Sequence, residues 1–195
     1  MYAYLKGKLV VCKPDYAVLE VGGIGYEFKI NLNAYSAIRE KERVKLFAYY
    51  HKSDHGDALY GFSSEQEKQV FLMLIGVNKI GPSTAQVMLS TFTPIELKQA
   101  IINGDTVKLN SIKGIGQKTA QRIIVDLRDK IDLSPEDEGF ESVPGSMQED
   151  VVNALLGLGF TKPAITKALN EVRKDISADA TVEDHIREAL NVLSQ

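Results

Sequence analysis

Ile80-Gly81-Pro82-Ser83-Thr84-Ala85-Gln86 returns 35 residues later as Ile115-Gly116-Gln117-Lys118-Thr119-Ala120-Gln121, with five of seven positions the same. Each copy follows an apolar stretch (Phe71 to Val77; Val107 to Ile112) and leads into another helical pattern. Each is therefore expected to be a helix, a tight glycine turn and a second helix. Glycine lets the backbone take positive φ and approach a ligand closely, and the first N–H groups of the following helix have no partner within it. Such a turn suits an anion. A phosphate at the helix start is attracted by the helix dipole and by Lys118, while nothing in the turn is placed to read a base edge. Binding of this kind is indifferent to sequence and sensitive to salt.

Outward from the repeat, the pattern changes on both sides. Before Ser63, residues alternate with period two, clearest in Tyr26, Phe28, Ile30 and Leu32 against Glu27, Lys29 and Asn31, which marks half-buried strands. Lys13-Pro14-Asp15 and Gly22-Gly23-Ile24-Gly25 break the runs, a short helix is expected over Ala34 to Glu40, and strands resume from Val44 to Tyr50. Five short strands in about sixty residues suggest a small OB-type barrel, whose closure hides its edges. From Ser63 the apolar spacing is helical. Ser64 to Glu67 and Thr93 to Glu96 both have capping-box spacing, the second before a helix over Ile95 to Asn103 that Gly104 stops. A long amphipathic helix is expected over Thr119 to Ile131.

Beyond these helices the run SPEDEGFESVPGSMQ (Ser134 to Gln148) is acidic and poor in apolar residues, so residues 134–147 are expected to form a flexible linker. Three helical patterns then follow, Glu149 to Leu158, Pro163 to Val172 and Val182 to Leu193, with Thr161 and Thr181 placed as N-caps. The expected fold class is multi-domain α+β. It comprises a β-barrel over residues 1–62, an all-α domain over 63–133, the linker, and a small three-helix bundle over 148–195.

The 195 residues, 44% apolar and 25% charged, carry a net charge of -3, which at first argues against nucleic acid. Counted by segment, residues 1–62 hold nine Lys/Arg and seven Asp/Glu, residues 63–133 nine and seven, and residues 134–195 five and twelve. The acidity is confined to the last third. Lys108, Lys113, Lys118 and Arg122 form a cationic stripe with no acidic residue between them. Cys12 is the single cysteine, expected to fill core, so no intramolecular disulfide is expected. No run of about 18 apolar residues and no signal-peptide pattern is present, so a cytoplasmic location is expected.

Ile112-Lys113-Gly114-Ile115-Gly116-Gln117-Lys118-Thr119-Ala120 resembles the helix-hairpin-helix motif. The first copy departs from it, with Lys79 where the motif's first glycine would stand, a position at which positive φ would bring strain. The order of parts is similar to the RuvA family over the whole length. A barrel with Glu20-Val21-Gly22-Gly23-Ile24-Gly25-Tyr26-Glu27 comes first, then Leu59-Tyr60-Gly61-Phe62, the two hairpins, a linker, and a bundle with Leu155-Leu156-Gly157-Leu158-Gly159-Phe160.

That resemblance implies a non-catalytic homotetramer, built on the OB-fold barrels, that holds Holliday junction DNA. It would present the junction to a RuvB-like hexameric AAA+ motor for branch migration in recombination and repair. A RuvC-like resolvase is a further implied partner, the C-terminal bundle is UBA-like, and neither metal nor cofactor is implied. One tetramer or two facing ones remain open. The implied DNA contacts are Lys79, Ile80, Gly81, Ser83 and Thr84 in the first hairpin and Lys113, Gly114, Ile115, Gly116, Lys118, Thr119 and Arg122 in the second. An acidic pin that helps part the strands maps to Asp54 and Asp57, with His55 at one of its acidic positions. Leu155, Leu158 and Leu190 are the candidate motor contacts.

An ATPase loop is excluded, because Gln117 precedes Lys118 where G-x-x-x-x-G-K-[ST] requires glycine. Gly22 to Gly25 lacks the third glycine and the following helix of a dinucleotide site and reads as a hairpin turn. His51, Asp54, His55 and Asp57 read as solvated hairpin residues rather than metal ligands. Two other readings stay open: a nuclease or ligase fragment using the same hairpins, and an OB-fold single-strand binder using exposed tyrosines among Tyr2, Tyr4, Tyr26, Tyr35, Tyr49 and Tyr50.

Overall fold

The computed structural model describes residues 2–53, 56–131, 147–172 and 180–193, and the chain divides into two compact units, Met1–Leu133 and Ser134–Gln195. Among the described residues, β1 (Tyr4–Cys12), β2 (Tyr16–Val21), β3 (Ile24–Lys29), β4 (Arg43–His51) and β5 (Ala58–Phe62) close into a barrel in the order β1-β2-β3-β5-β4. Gly22 and Gly23 form the turn between β2 and β3. Ala17, Leu19, Phe28, Ile30, Val44, Leu46 and Ala48 fill the interior, and Cys12 packs half-buried at its edge, where burial pushes the thiol's pKa up. Gly61 is needed for closure: a Cβ there would lie 2.9 Å from the ring of Phe28.

The expected alternation fails at its end. Phe28 and Ile30 are buried, but Asn31 is 1% exposed and Leu32 is 47% exposed. The strand stops at Lys29 because Asn31 caps α1 (Leu32–Ile38), accepting a hydrogen bond from Ala34 N–H at 2.9 Å. The helix therefore starts two residues before the expected Ala34.

The helices of the first unit are α2 (Glu65–Ile75), α3 (Pro82–Thr91), α4 (Pro94–Ile102), α5 (Thr106–Asn110) and α6 (Gln117–Leu127), followed by a 3₁₀ turn over Arg128–Lys130. The last helix thus begins before the expected Thr119, because Gly116 is its N-cap, and tightens before Ile131. At α4 the capping box is complete: Thr93 N–H and hydroxyl both donate to Glu96, which holds that carboxyl below the usual range. At α2 it is half made. Ser64 Oγ accepts from Glu67 N–H, but the Glu67 carboxylate turns inward and accepts from Ser63 N–H (2.7 Å), Ser63 Oγ (2.8 Å) and Asn31 Nδ2 (2.6 Å). Val107, the first residue of the apolar stretch before the second turn, is 79% exposed; so short a helix buries only Leu109.

The barrel interior is one cluster, and β5 joins a second one with the helices. Tyr60 and Phe62 from β5 pack with Val70, Phe71 and Leu74 of α2, with ring centroids of Phe62 and Phe71 4.8 Å apart. Hydrogen bonds add to this joint: Asn33 Nδ2 donates to Leu89 O (2.6 Å) and Phe92 O (3.1 Å), and Leu32 N–H to Ser90 Oγ (3.1 Å). Hairpin 1 is thereby tied to the barrel.

The second unit contains α7 (Met147–Gly157), α8 (Lys162–Val172) and α9 (Val182–Leu193) around Val151, Leu155, Ile165, Ala168, Leu169 and Ala189. Thr181 caps α9, and its hydroxyl and N–H both donate to Asp184, lowering that carboxyl's pKa. Ile165 N–H bonds Thr161 O, which puts Thr161 at the start of α8. The expected linker, residues 134–147, lies outside the described residues up to Met147, where α7 begins. No described helix is long and apolar enough to cross a membrane.

Candidate nucleic-acid interface

The repeat is a repeat in backbone geometry. In the first hairpin Val77 N–H bonds Leu74 O, Ile80 N–H bonds Val77 O and Ala85 N–H bonds Gly81 O; in the second, Ile112 N–H bonds Leu109 O, Ile115 N–H bonds Ile112 O and Ala120 N–H bonds Gly116 O. The N-caps match as well: Gly81 has φ -92° and ψ 171°, Gly116 φ -88° and ψ 170°. Buried Leu74, Val77, Ile80 and Ala85 correspond to buried Leu109, Ile112, Ile115 and Ala120, so both turns are pinned to the same core from below.

Gly114 has φ +91°, and its counterpart Lys79 has φ +74°, the one non-glycine residue with positive φ among the described residues. The strain expected at Lys79 is therefore present, at a cost of roughly 1–2 kcal/mol for an L-residue. Lys79→Gly is expected to raise stability by about 1 kcal/mol, measured by urea unfolding, while weakening nucleic-acid binding by removing an exposed cation.

Gly81 and Gly116 differ from these. Their φ values suit any residue, both are exposed, and a Cβ built on either meets nothing within 4 Å. Neither backbone strain nor internal packing requires glycine there. What it does provide is an uncapped helix start, because neither α3 nor α6 has a side-chain cap. The first-turn N–H groups are left for solvent or an anion. Pro82 at the first position of α3 has no N–H, so hairpin 1 offers one donor fewer than hairpin 2.

The predicted contacts divide on this geometry. Lys79, Gly81 and Ser83, with Lys113, Gly114, Gly116 and Lys118, are exposed around the two turns, and Thr84 and Thr119 are half-buried. Ile80 and Ile115 are each 4% exposed with their N–H groups already bonded in the turn, so their side chains anchor the turns to the core. Arg122 is exposed but pairs with Asp126 at 3.4 Å. Lys108 leaves the cationic stripe, because its ammonium lies 4.9 Å from the Phe92 ring centre and close enough to Glu96 to lower that carboxyl's pKa. Gln117, not singled out from sequence, opens α6 with an exposed side chain, and counting first-turn N–H groups from Gly116 would have found it.

Asp57 of the predicted acidic pin is exposed and accepts a hydrogen bond from Tyr50, which raises the pKa of that hydroxyl. Asp54 and His55 lie outside the described residues. In the second unit Leu158 is 60% exposed, Leu190 is half-buried against the core and Leu155 is fully buried. Leu155, a candidate motor contact, is thus placed in the core of the bundle and offers no exposed surface. Leu156, 39% exposed, stands beside Leu158 on the outside.

Comparison with known proteins agrees with this arrangement. Residues 1–61 match the model of the RuvA N terminal domain, residues 71–129 that of the SAM-like helix-hairpin-helix tandem, and residues 146–194 that of the RuvA C-terminal domain. The chain is 39% identical over 198 residues to the Holliday junction branch migration complex subunit RuvA of Cytophaga hutchinsonii, covering 98% of this chain and 100% of that protein. Proteins of the same name from Christiangramia forsetii and Porphyromonas gingivalis are each 38% identical, covering 99% of this chain and 100% of theirs. With the barrel, the paired hairpins and the terminal bundle all matched in order, the chain belongs to the RuvA family.

Proposed function

We propose that this chain is a non-catalytic clamp for four-way junction DNA. Its two hairpins hold phosphates without reading sequence, and it presents the junction to a RuvB-like hexameric AAA+ ATPase for branch migration. The observation that carries the reading is the pair of exposed, uncapped glycine helix starts, at which neither backbone strain nor internal packing requires glycine. The names of the relatives support it. In this reading the barrel (1–62) is the core of a homotetramer, residues 63–133 grip DNA, and 148–195 reach the motor through the acidic segment 134–147. Leu158 with Leu156 offers the exposed apolar contact of that last part. Asp57 carries the charge of a central pin that Tyr50 orients. A RuvC-like resolvase is a further partner, acting on the held junction in the cytoplasm.

Salt dependence tests the phosphate grip. Each phosphate contact contributes a slope of about -0.9 in log K against log salt on duplex DNA. Lys118→Ala is expected to weaken junction binding and flatten the slope by about one unit, the share of a single phosphate. A slope equal to that of the unaltered protein would remove Lys118 from the contacts.

A further inference from the structure

The outer face of the barrel carries a second set of cations that the hairpins do not use. In the antiparallel pairing of β1 with β4, Lys6 stands directly opposite Lys45 and Lys8 opposite Arg43, and all four are exposed. Opposed cross-strand residues have Cβ atoms about 5 Å apart, and like charges so placed destabilise a sheet. Along each strand the two cations are about 7 Å apart. The four thus form a compact rectangle of positive charge. Glu20 on β2 stands directly opposite Lys8 on the other side of β1, yet among the described residues none of the four cations makes an ion pair.

Two further features border the rectangle. The Lys45 ammonium sits 4.2 Å from the ring centre of Tyr4 and 4.3 Å from that of Phe47, so it is held in place, and Tyr4 is 51% exposed beside it. Between α1 and β4 the face opens into a cleft of about 370 Å³ whose charged lining residues are Lys41, Arg43 and Lys45, with no acidic residue. Ser63 also lines it, but its hydroxyl is already committed to the buried Glu67.

We infer that the β1–β4 face, through Lys6, Lys8, Arg43 and Lys45, is a second contact for the phosphodiester backbone of a nucleic-acid strand. This inference rests on the junction-binding reading and extends it to the barrel. A polyanion offsets the repulsion within the rectangle, and the exposed Tyr4 ring is available for an unpaired base to stack on. Residues 1–133 carry eighteen Lys/Arg against fourteen Asp/Glu, so the unit as a whole favours such a partner.

The test combines Lys6→Gln, Arg43→Gln and Lys45→Gln in the full chain, titrated with a synthetic four-way junction, linear duplex and single strand over a range of salt. The expected result is a salt slope smaller by about two to three units, at roughly 0.9 per phosphate. The unfolding temperature should change little, since relief of the like-charge pairs is opposed by loss of the Lys45 contacts with the Tyr4 and Phe47 rings. An unchanged slope overturns the proposal. If the slope of Lys118→Ala falls in the same titration while that of the triple variant does not, only the barrel contact fails; if neither falls, the hairpin reading fails with it. Lysine acetylation of the unaltered protein gives a second readout. Lys6 and Lys8 should react in the free protein and be protected by DNA. Protection already in the free protein would mean that a second copy, or the acidic segment 134–195, covers the face, and would overturn the proposal.

Discussion

Replacing Gly81 and Gly116 together by leucine is expected to weaken nucleic-acid binding by at least roughly 100-fold, while shifting unfolding free energy by no more than about 1 kcal/mol. The two effects separate because neither backbone strain nor internal packing requires glycine at these two N-caps. Their φ angles of -92° and -88° admit any residue, and added side chains meet nothing within 4 Å. A bulky side chain at the helix start would occupy the space through which a phosphate reaches the free N–H groups. Charge-assisted hydrogen bonds contribute about 1.5–3 kcal/mol each, so removing one at each hairpin is enough for the expected change. Anisotropy titration with junction DNA, alongside urea unfolding, checks both halves. Binding at full strength would mean that the helix starts do not face the phosphates.

Phe71→Ala carries the largest expected cost to stability, about 3–5 kcal/mol. Phe71 is fully buried, with ring centroids of Phe62, Tyr60 and Tyr49 at 4.8, 5.3 and 5.5 Å. It stands where the barrel's last strand meets the first hairpin helix. Removing the ring leaves a cavity that neither side can fill without moving the other. Because β5 packs in the same cluster as the helices and residues 1–133 form one compact unit, barrel and helices should unfold in one transition, and the variant should shift that transition as a whole. Separate melting of strands and helices would show that the joint contributes little.

The parts of this fold legible in the sequence are those with local causes. Period-two alternation marks β3, the Thr93 to Glu96 box marks α4, and the repeated Ile-Gly turn marks both hairpins, because each depends on residues within a few positions of one another. What the pattern misses depends on distant partners. Asn31 looks like an outward strand residue, and its burial follows only from Glu67, thirty-six positions away, reaching back to it. Glu67 itself has the spacing of a reciprocal cap, yet Ser63 and Asn31 draw its carboxylate inward.

The candidate site shows the same division. The glycine turns and Lys118 are readable, but spacing alone does not tell an anchor from a contact. Ile80 and Ile115 are where the turn touches the core, Lys108 is drawn over Phe92 from the middle of a five-residue helix, and Arg122 meets Asp126 one turn on. Leu155 and Leu158 look alike in sequence. The helix ends at Gly157, which leaves Leu155 on the core side and Leu158 in the exposed turn.

The most direct test of the junction-clamp reading is a competition gel shift of the full chain on a synthetic four-way junction, against linear duplex and single strand at moderate salt. Retention of the junction in the presence of excess duplex is the predicted result, because in the proposed reading paired hairpins repeated around a homotetramer would engage four arms at once. Equal binding to all three DNAs would reduce the hairpins to a general affinity for phosphate and contradict the clamp.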